Sequence, residues 1–238
     1  MIPVRLKCGA SETFSPGGGF TGVESTQVQA KVEDLAAVKD VVIHYKDFDT
    51  WTDAVLTGQK DFGDYVLFSG HFSFLINQFV LRFTSGGQSF WDNNNGMDYR
   101  FDDNRRGAVG GHVILHKATA RRGSQSGGGF TFTTSWIEGE ILVTNLSYNK
   151  HVGIRWTSNN WATFEDTEAT YAGVMPMYAS SSGVEVWKFK TPEYNLKESP
   201  PQFQFAIFYH KLDSGTSFWD NNFSHNYTLS KADGAVLE

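Results

Sequence analysis

Two ten-residue stretches, FWDNNNGMDY at 90–99 and FWDNNFSHNY at 218–227, hold Phe, Trp, Asp, Asn, Asn and Tyr in register, and Asn226 stands where the first copy has Asp98. A string this unusual, occurring twice, constrains the chain to a fold made of two similar units. Other landmarks agree: SPGGGF at 15–20 answers SGGGF at 126–130, VEDLAAVKDVVIHY at 32–45 answers VTNLSYNKHVGIRW at 143–156, and Trp51 answers Trp161 with one residue slipped. Their order and near-constant spacing predict a tandem duplication with modules at 1–106 and 107–238. The polar, Gly-rich DDNRRGAVGGH at 102–112 reads as the join. The second half is longer between Trp161 and Phe218, where TYAGVMPMYASSSG and TPEYNLKESPPQ read as extended loops.

Within each half the hydrophobic period is two, and no helical period is sustained. Val41, Ile43 and Tyr45 alternate with Asp40, Val42 and His44; Val152, Ile154 and Trp156 alternate with His151, Gly153 and Arg155. Short aromatic and β-branched runs such as DYVLFSGHFSFL, GVEVWKFK and QFQFAIFYH are set apart by Gly, Asn, Asp, Ser or Pro. The fold class is therefore all-β, with two tandem antiparallel β-sandwiches of immunoglobulin-like kind, each of seven or eight short strands. Phe72, Phe74, Trp187 and Phe189 read as core, and Phe90 and Phe218 as pointing inward.

Alternation then sends Trp91 and Trp219 to the opposite face, where the DNN that follows already enters solvent. Trp51 and Trp161 likewise follow polar segments, KDFDT and TSNN. What binds such a surface is narrowed by charge. The net charge is -6 with pI near 5.6, and no Lys/Arg cluster exceeds the pairs Arg105-Arg106 and Arg121-Arg122, which speaks against nucleic acid and anionic membrane as partners. Cys8 is the single cysteine, so neither an internal disulfide nor a Cys-based zinc site is available. No apolar run reaches the roughly 20 residues that span a bilayer. The N-terminus lacks the apolar core of a signal peptide, and the closing Ala235-Val236-Leu237-Glu238 reads as a vector-derived tail on a piece excised from a longer protein.

No catalytic constellation emerges. HExxH, GxSxG and Walker A strings are absent, the seven histidines form no helical i, i+4 pair, and the GxGxxG match at Gly17, Gly19 and Gly22 precedes a strand pattern and no helix. The expectation is a protein that is not an enzyme and holds no cofactor. Exposed indoles beside amides suit a different task. A sugar ring lays its C–H face on an indole, at about 1 to 3 kcal/mol per ring. Its hydroxyls need partners that both donate and accept, which Asn does. Asn93, Asn94, Asn95 and Asp98, with Asn221, Asn222 and Asn226, fit that role; an Asx turn capping the hairpin is the alternative use of consecutive Asn.

The order VxNLxYxKxVxIRxT..NW followed by FWDNNxxxNY resembles carbohydrate-binding module family 21, the starch- and glycogen-binding β-sandwich of fungal amylolytic enzymes and of glycogen-targeting subunits of protein phosphatase 1. The likeness is fuller in the second half, through Val143, Asn145, Leu146, Tyr148, Lys150, Val152, Ile154, Arg155, Thr157 and Trp161, than in the first, through Val32, Leu35, Lys39, Val41, Ile43 and Trp51. The resemblance implies one glucan site from Trp51 with Trp91, and likewise from Trp161 with Trp219, supported by the Asn run. A further aromatic that lines this site in some members is matched by Val80 and Ala206, a departure from the family pattern. A second site is implied at Tyr148 and Lys150; in the first half Ala37 replaces the aromatic, leaving Lys39 without it.

The resulting expectation is non-catalytic binding of α-1,4-glucan (starch, glycogen or malto-oligosaccharide), with two modules acting together. The alternative is a glycogen-targeting scaffold of a protein phosphatase. The companion is then an attached catalytic domain in the first case and the phosphatase catalytic subunit in the second. The nearest approach to that family's basic-Val-x-Phe docking string is Lys31-Val32-Glu33-Asp34, which lacks the aromatic. Location is left open between secretion with an amylolytic enzyme and an intracellular place on glycogen or starch. Asn145, Asn222 and Asn226 head glycosylation sequons, and glycans on the last two would crowd the site.

Overall fold

The computed structural model describes residues 2–14, 22–35, 40–101, 106–175, 183–195 and 201–238. The SPGGGF string, Ala37, Lys39 and residues 102–105 of the join lie outside the described residues. The chain divides into two compact units, Met1–His112 with Val174–Glu185, and Val113–Gly173 with Val186–Glu238.

Unit 1 comprises β1 (Val4–Phe14), β2 (Val23–Glu33), β3 (Asp40–Asp47), β4 (Thr50–Val55), β5 (Thr57–Asp61), β6 (Tyr65–Phe72), β7 (Gln78–Ser85), β8 (Gln88–Asp92), β9 (Tyr99–Arg100) and β10 (Gly107–Ala108). They form two sheets, β10-β1-β2-β6-β5 and β4-β3-β7-β8, with β9 beside β7, and the neighbours in each are antiparallel. One core lies between them. Val4, Leu6, Val28, Ala30 and Val32 from the first sheet meet Val41, Ile43, Phe79, Leu81 and Phe83 from the second, with Phe72, Phe74 and Phe90 packed against the cluster. The alternation read from the sequence is what puts these side chains inward.

Unit 2 comprises β11 (Val113–Gly127), β12 (Phe130–Thr144), β13 (Lys150–Thr157), β14 (Glu165–Glu168), β15 (Thr170–Val174), β16 (Val184–Lys190), β17 (Tyr194–Asn195), β18 (Gln202–Lys211), β19 (Thr216–Asp220), β20 (Tyr227–Ser230) and β21 (Val236–Leu237). Its sheets run β15-β16-β12-β11-β21, with β17 beside β12, and β14-β13-β18-β19, with β20 beside β18. The strand orders of the two units correspond, down to a bulge in the first strand, between Leu6 and Cys8 in one and between Leu115 and Lys117 in the other. No α-helix occurs among the described residues.

Three expectations need adjustment. The residues read as a vector tail are a strand: Leu237 and Val236 pair with Ala118 and Thr119, and Leu237 is buried. In unit 1 the same place is taken by Ala108 and Gly107 on Gly9 and Ala10, so the chain passes from one unit to the other after His112 rather than after residue 106. Trp187, read as core, is only half-buried, with its ring edge-on to that of exposed Tyr171 at 5.9 Å.

Candidate functional site

Sheet register assembles an aromatic surface on the outer face of the β4-β3-β7-β8 sheet. Trp51 of β4 lies opposite Lys46, His44 of β3 lies between Asp53 and Val80, and Trp91 of β8 lies opposite Arg82. Trp51, Trp91 and Trp219 are each 40 % exposed, far more than a core indole. Between the two indoles of unit 1 stands His44, stacked on Trp51 at 5.0 Å and 12° and edge-on to Trp91 at 5.5 Å and 76°. Asp53 binds both His44 Nδ1 and Arg82 Nη2 at 2.6 Å, and the Arg82 guanidinium lies 5.5 Å from the centre of the Trp91 ring. Burial pushes the Asp53 carboxyl up, but His44 and Arg82 outweigh it and hold the group below the usual carboxylate range.

Unit 2 reaches a similar surface by a different route. Trp161 sits outside the strands, at φ 63°, in a loop tied down by Thr157 and Asn159: Trp161 N donates to Thr157 Oγ1 at 3.1 Å and Thr163 N to Asn159 Oδ1 at 3.0 Å. Trp51, by contrast, is in a strand reached by a two-residue turn at Phe48 and Asp49, which explains the slip between the two tryptophans. Arg155 holds the place of His44. It binds Asp166 through Nε at 2.7 Å and Nη2 at 2.8 Å, and its guanidinium lies 5.5 Å from the Trp219 ring and 4.6 Å from that of exposed Phe164. The bidentate bond holds the Asp166 carboxyl below its usual range. Trp161, Trp219, Asn221 and Asn226 line one open cavity of about 310 Å³ together with Arg155 and Ala206. Four of the expected residues thus meet there. His44, Asp53, Arg82, Arg155, Asp166 and Phe164 were not anticipated. Alternation alone turned His44 and Arg155 outward, but their meeting with the indoles depends on strand order.

The asparagine-rich turns prove to be one hydrogen-bonded motif built twice. The Asp92 carboxylate accepts from Leu6 N at 2.7 Å and from the Tyr99 hydroxyl at 2.8 Å; Asp220 accepts likewise from Leu115 N and the Tyr227 hydroxyl. Asn94 Nδ2 donates to Asp98 O at 3.1 Å, and Asn222 Nδ2 to Asn226 O at 3.0 Å. Asn93 Oδ1 accepts from Gly96 N and Asn221 Oδ1 from Ser224 N. Asn94, Asn95, Asp98, Asn222 and Asn226 all take positive φ, which Asn and Asp tolerate best among residues with a side chain. Burial and the neighbouring Asp92 charge push the Tyr99 phenol well up, keeping it a donor.

This corrects part of the site assignment. Asn222 is 1 % exposed and its amide serves the turn, so it does not face a ligand; half-buried Asn94 does the same work in unit 1. The Asx-turn alternative holds for these two. Asn93 and Asn95 are exposed, Asn221, Asn226 and Asp98 half-exposed, and Asp98 Oδ2 accepts from Gln78 Nε2 at 2.7 Å.

Tyr148 is fully exposed in the connection between β12 and β13, and Lys150 Nζ donates to Asn145 Oδ1 at 2.8 Å. Lys150 opens β13 and Arg155 lies five residues on, so at about 3.3 Å per residue this spot is roughly 17 Å from the Trp219 surface. Among the described residues no group of three or more His, Cys, Asp or Glu is placed to hold a metal.

The site is thus a set of exposed indoles on one sheet of a β-sandwich, with Asn-rich turns at its edge. Residues 128–230 match the model of the family described as carbohydrate/starch-binding module (family 21). Similar curated proteins include protein phosphatase 1 regulatory subunit 3E of Mus musculus, 31 % identical over 96 residues, covering 39 % of this chain and 30 % of that protein. Another is GLC7-interacting protein 2 of Saccharomyces cerevisiae, 28 % identical over 102 residues, covering 40 % of this chain and 18 % of that protein. The chain therefore spans less than a third of the length of these relatives. Among solved structures, the starch-binding domain of Rhizopus oryzae glucoamylase, in complex with β-cyclodextrin and maltoheptaose, is 19 % identical with a TM-score of 0.31, covering 43 % of this chain and 94 % of that one. The carbohydrate-binding module of the muscle glycogen-targeting subunit of protein phosphatase 1 is 25 % identical with a TM-score of 0.30, covering 48 % and 77 %.

Proposed function

We propose that the chain is a non-catalytic tandem of two family 21-like, immunoglobulin-like β-sandwich modules that binds α-1,4-glucan, one module in each half. The cavity shared by Trp161, Trp219, Asn221 and Asn226 within the family-matched segment carries this reading. Each indole offers an apolar face to a sugar ring, while amides at its edge exchange hydrogen bonds with hydroxyls. Trp51 and Trp91, propped by His44 and Arg82, serve the first module in the same way, with Asn93, Asn95 and Asp98 at the edge. Tyr148 and Lys150 form a second contact in the second module. Adding maltoheptaose is expected to quench tryptophan fluorescence, and Trp51→Ala with Trp161→Ala to remove the response. Undiminished binding in the double variant would defeat the assignment.

The names of the relatives favour a second role, as the glycogen-targeting part of a larger phosphatase scaffold. Lys31 and Val32 are buried in β2, so that string does not serve as a docking peptide. Retention of a phosphatase catalytic subunit on glycogen by the full-length protein is the expected result; failure to retain it there removes this role and leaves glucan binding intact.

A further inference from the structure

The outer face of the other sheet of unit 1 carries a trough of about 470 Å³ that the indole platform does not use. Register builds it. Gln27 and Gln29 of β2 stand opposite His71 and Ser69 of β6, and Ser69 stands opposite Thr57 of β5. All five line the trough. The intervening Val28 is in the core, so the polar side chains share one face.

Among the described residues no charged side chain lines this trough. Unit 2 has a larger one, of about 660 Å³, at the corresponding strands, and Glu138 and Glu140 stand there where Gln27 and Gln29 stand in the repeat. That second trough is crossed by ion pairs, Lys117 to Glu140 at 3.2 Å, Lys188 to Glu140 at 3.7 Å and Arg121 to Glu138 at 2.8 Å. The fold makes the concavity in both units, and among the described residues the one in unit 1 carries no charged side chain. Amides, hydroxyls and an imidazole each donate and accept, an inventory suited to hydroxyls, and such a surface offers a charged ligand no counter-ion.

We propose that this trough is a further binding surface of unit 1 for a neutral polyhydroxylated chain, on the sheet opposite Trp51 and Trp91. The ligand class rests on the reading of the protein as an α-glucan binder. Titrating the whole chain with maltoheptaose while following amide and indole N–H resonances reads both surfaces separately. The amides of Gln27, Gln29 and His71 are expected to shift together with the indoles of Trp51 and Trp219. In Gln27→Glu/Gln29→Glu, which installs charges that unit 2 carries at the same places, the trough shifts should vanish while the indole shifts persist. Trough amides that stay still while the indoles move overturn the proposal and leave the glucan reading standing. Indoles that stay still while the trough moves support the trough and overturn the platform; stillness at both overturns both.

Discussion

Asp92 and Asp220 illustrate how two neighbouring residues divide structure from recognition. Each follows a half-exposed indole, yet its own carboxylate turns inward to a strand far away in sequence, Leu6 at a separation of 86 residues and Leu115 at 105. Asp220 is buried and accepts from Leu115 N, Asn222 N and the Tyr227 hydroxyl, so Asp220→Ala should cost about 2 to 4 kcal/mol in a urea unfolding experiment by leaving these donors without their acceptor. Trp219→Ala, one residue away on the solvent side, should change stability by no more than about 1 kcal/mol while weakening glucan binding. Comparable losses of stability in both would contradict the division. The alternation of Phe90 with Trp91 and of Phe218 with Trp219 was legible because strand period alone fixes it. The work of Asp92, Asn94 and Asn222 was not, because the acceptor geometry of a turn depends on a partner strand that no local pattern identifies.

At the scale of strands, each indole platform is braced across neighbouring strands by a carboxylate, and the two units choose different cations. His44 and Arg82 converge on Asp53, whereas Arg155 alone grips Asp166 with two bonds. Because Arg155 holds the Asp166 carboxyl below its usual range, the brace is fully formed above that range and is lost as pH falls through the lowered value. Maltoheptaose binding by a Trp51→Ala variant, which reports unit 2, is therefore expected to be flat above about pH 5 and to decline below about pH 4. A decline centred near pH 6 to 7 would point to a histidine instead. Element existence was readable from the alternating runs, but ends were not. Val236-Leu237 has no apolar period of its own, and only the vacancy beside β11, filled in unit 1 by Gly107-Ala108, makes it a strand. Leu237→Ala should accordingly lower stability by about 1 to 3 kcal/mol in thermal unfolding, since it removes a buried side chain that an unattached tail would not have.

For the whole molecule, the proposed pair of glucan-binding modules matters through the length of the ligand. Two surfaces that recognise the same repeating unit gain from tethering only when a single chain of glucan reaches both, in which case the second engagement is intramolecular and raises apparent affinity by about 10² to 10⁴. A short oligosaccharide that occupies one surface cannot collect that gain. The two cases separate in single variants. With maltoheptaose, Trp161→Ala is expected to lower the number of sites while leaving the affinity of the remaining surface as it was. With glycogen or soluble starch, the same substitution should weaken retention by at least about tenfold, because it removes the intramolecular step as well as one site. If the ligand is the neutral glucan proposed, both results should be nearly unchanged between about 0.05 and 0.5 M salt, where screening of exposed charges changes greatly. Equal losses on short and long glucans would mean that the two units bind independently, and the repeated FWDNN string would then supply capacity rather than avidity.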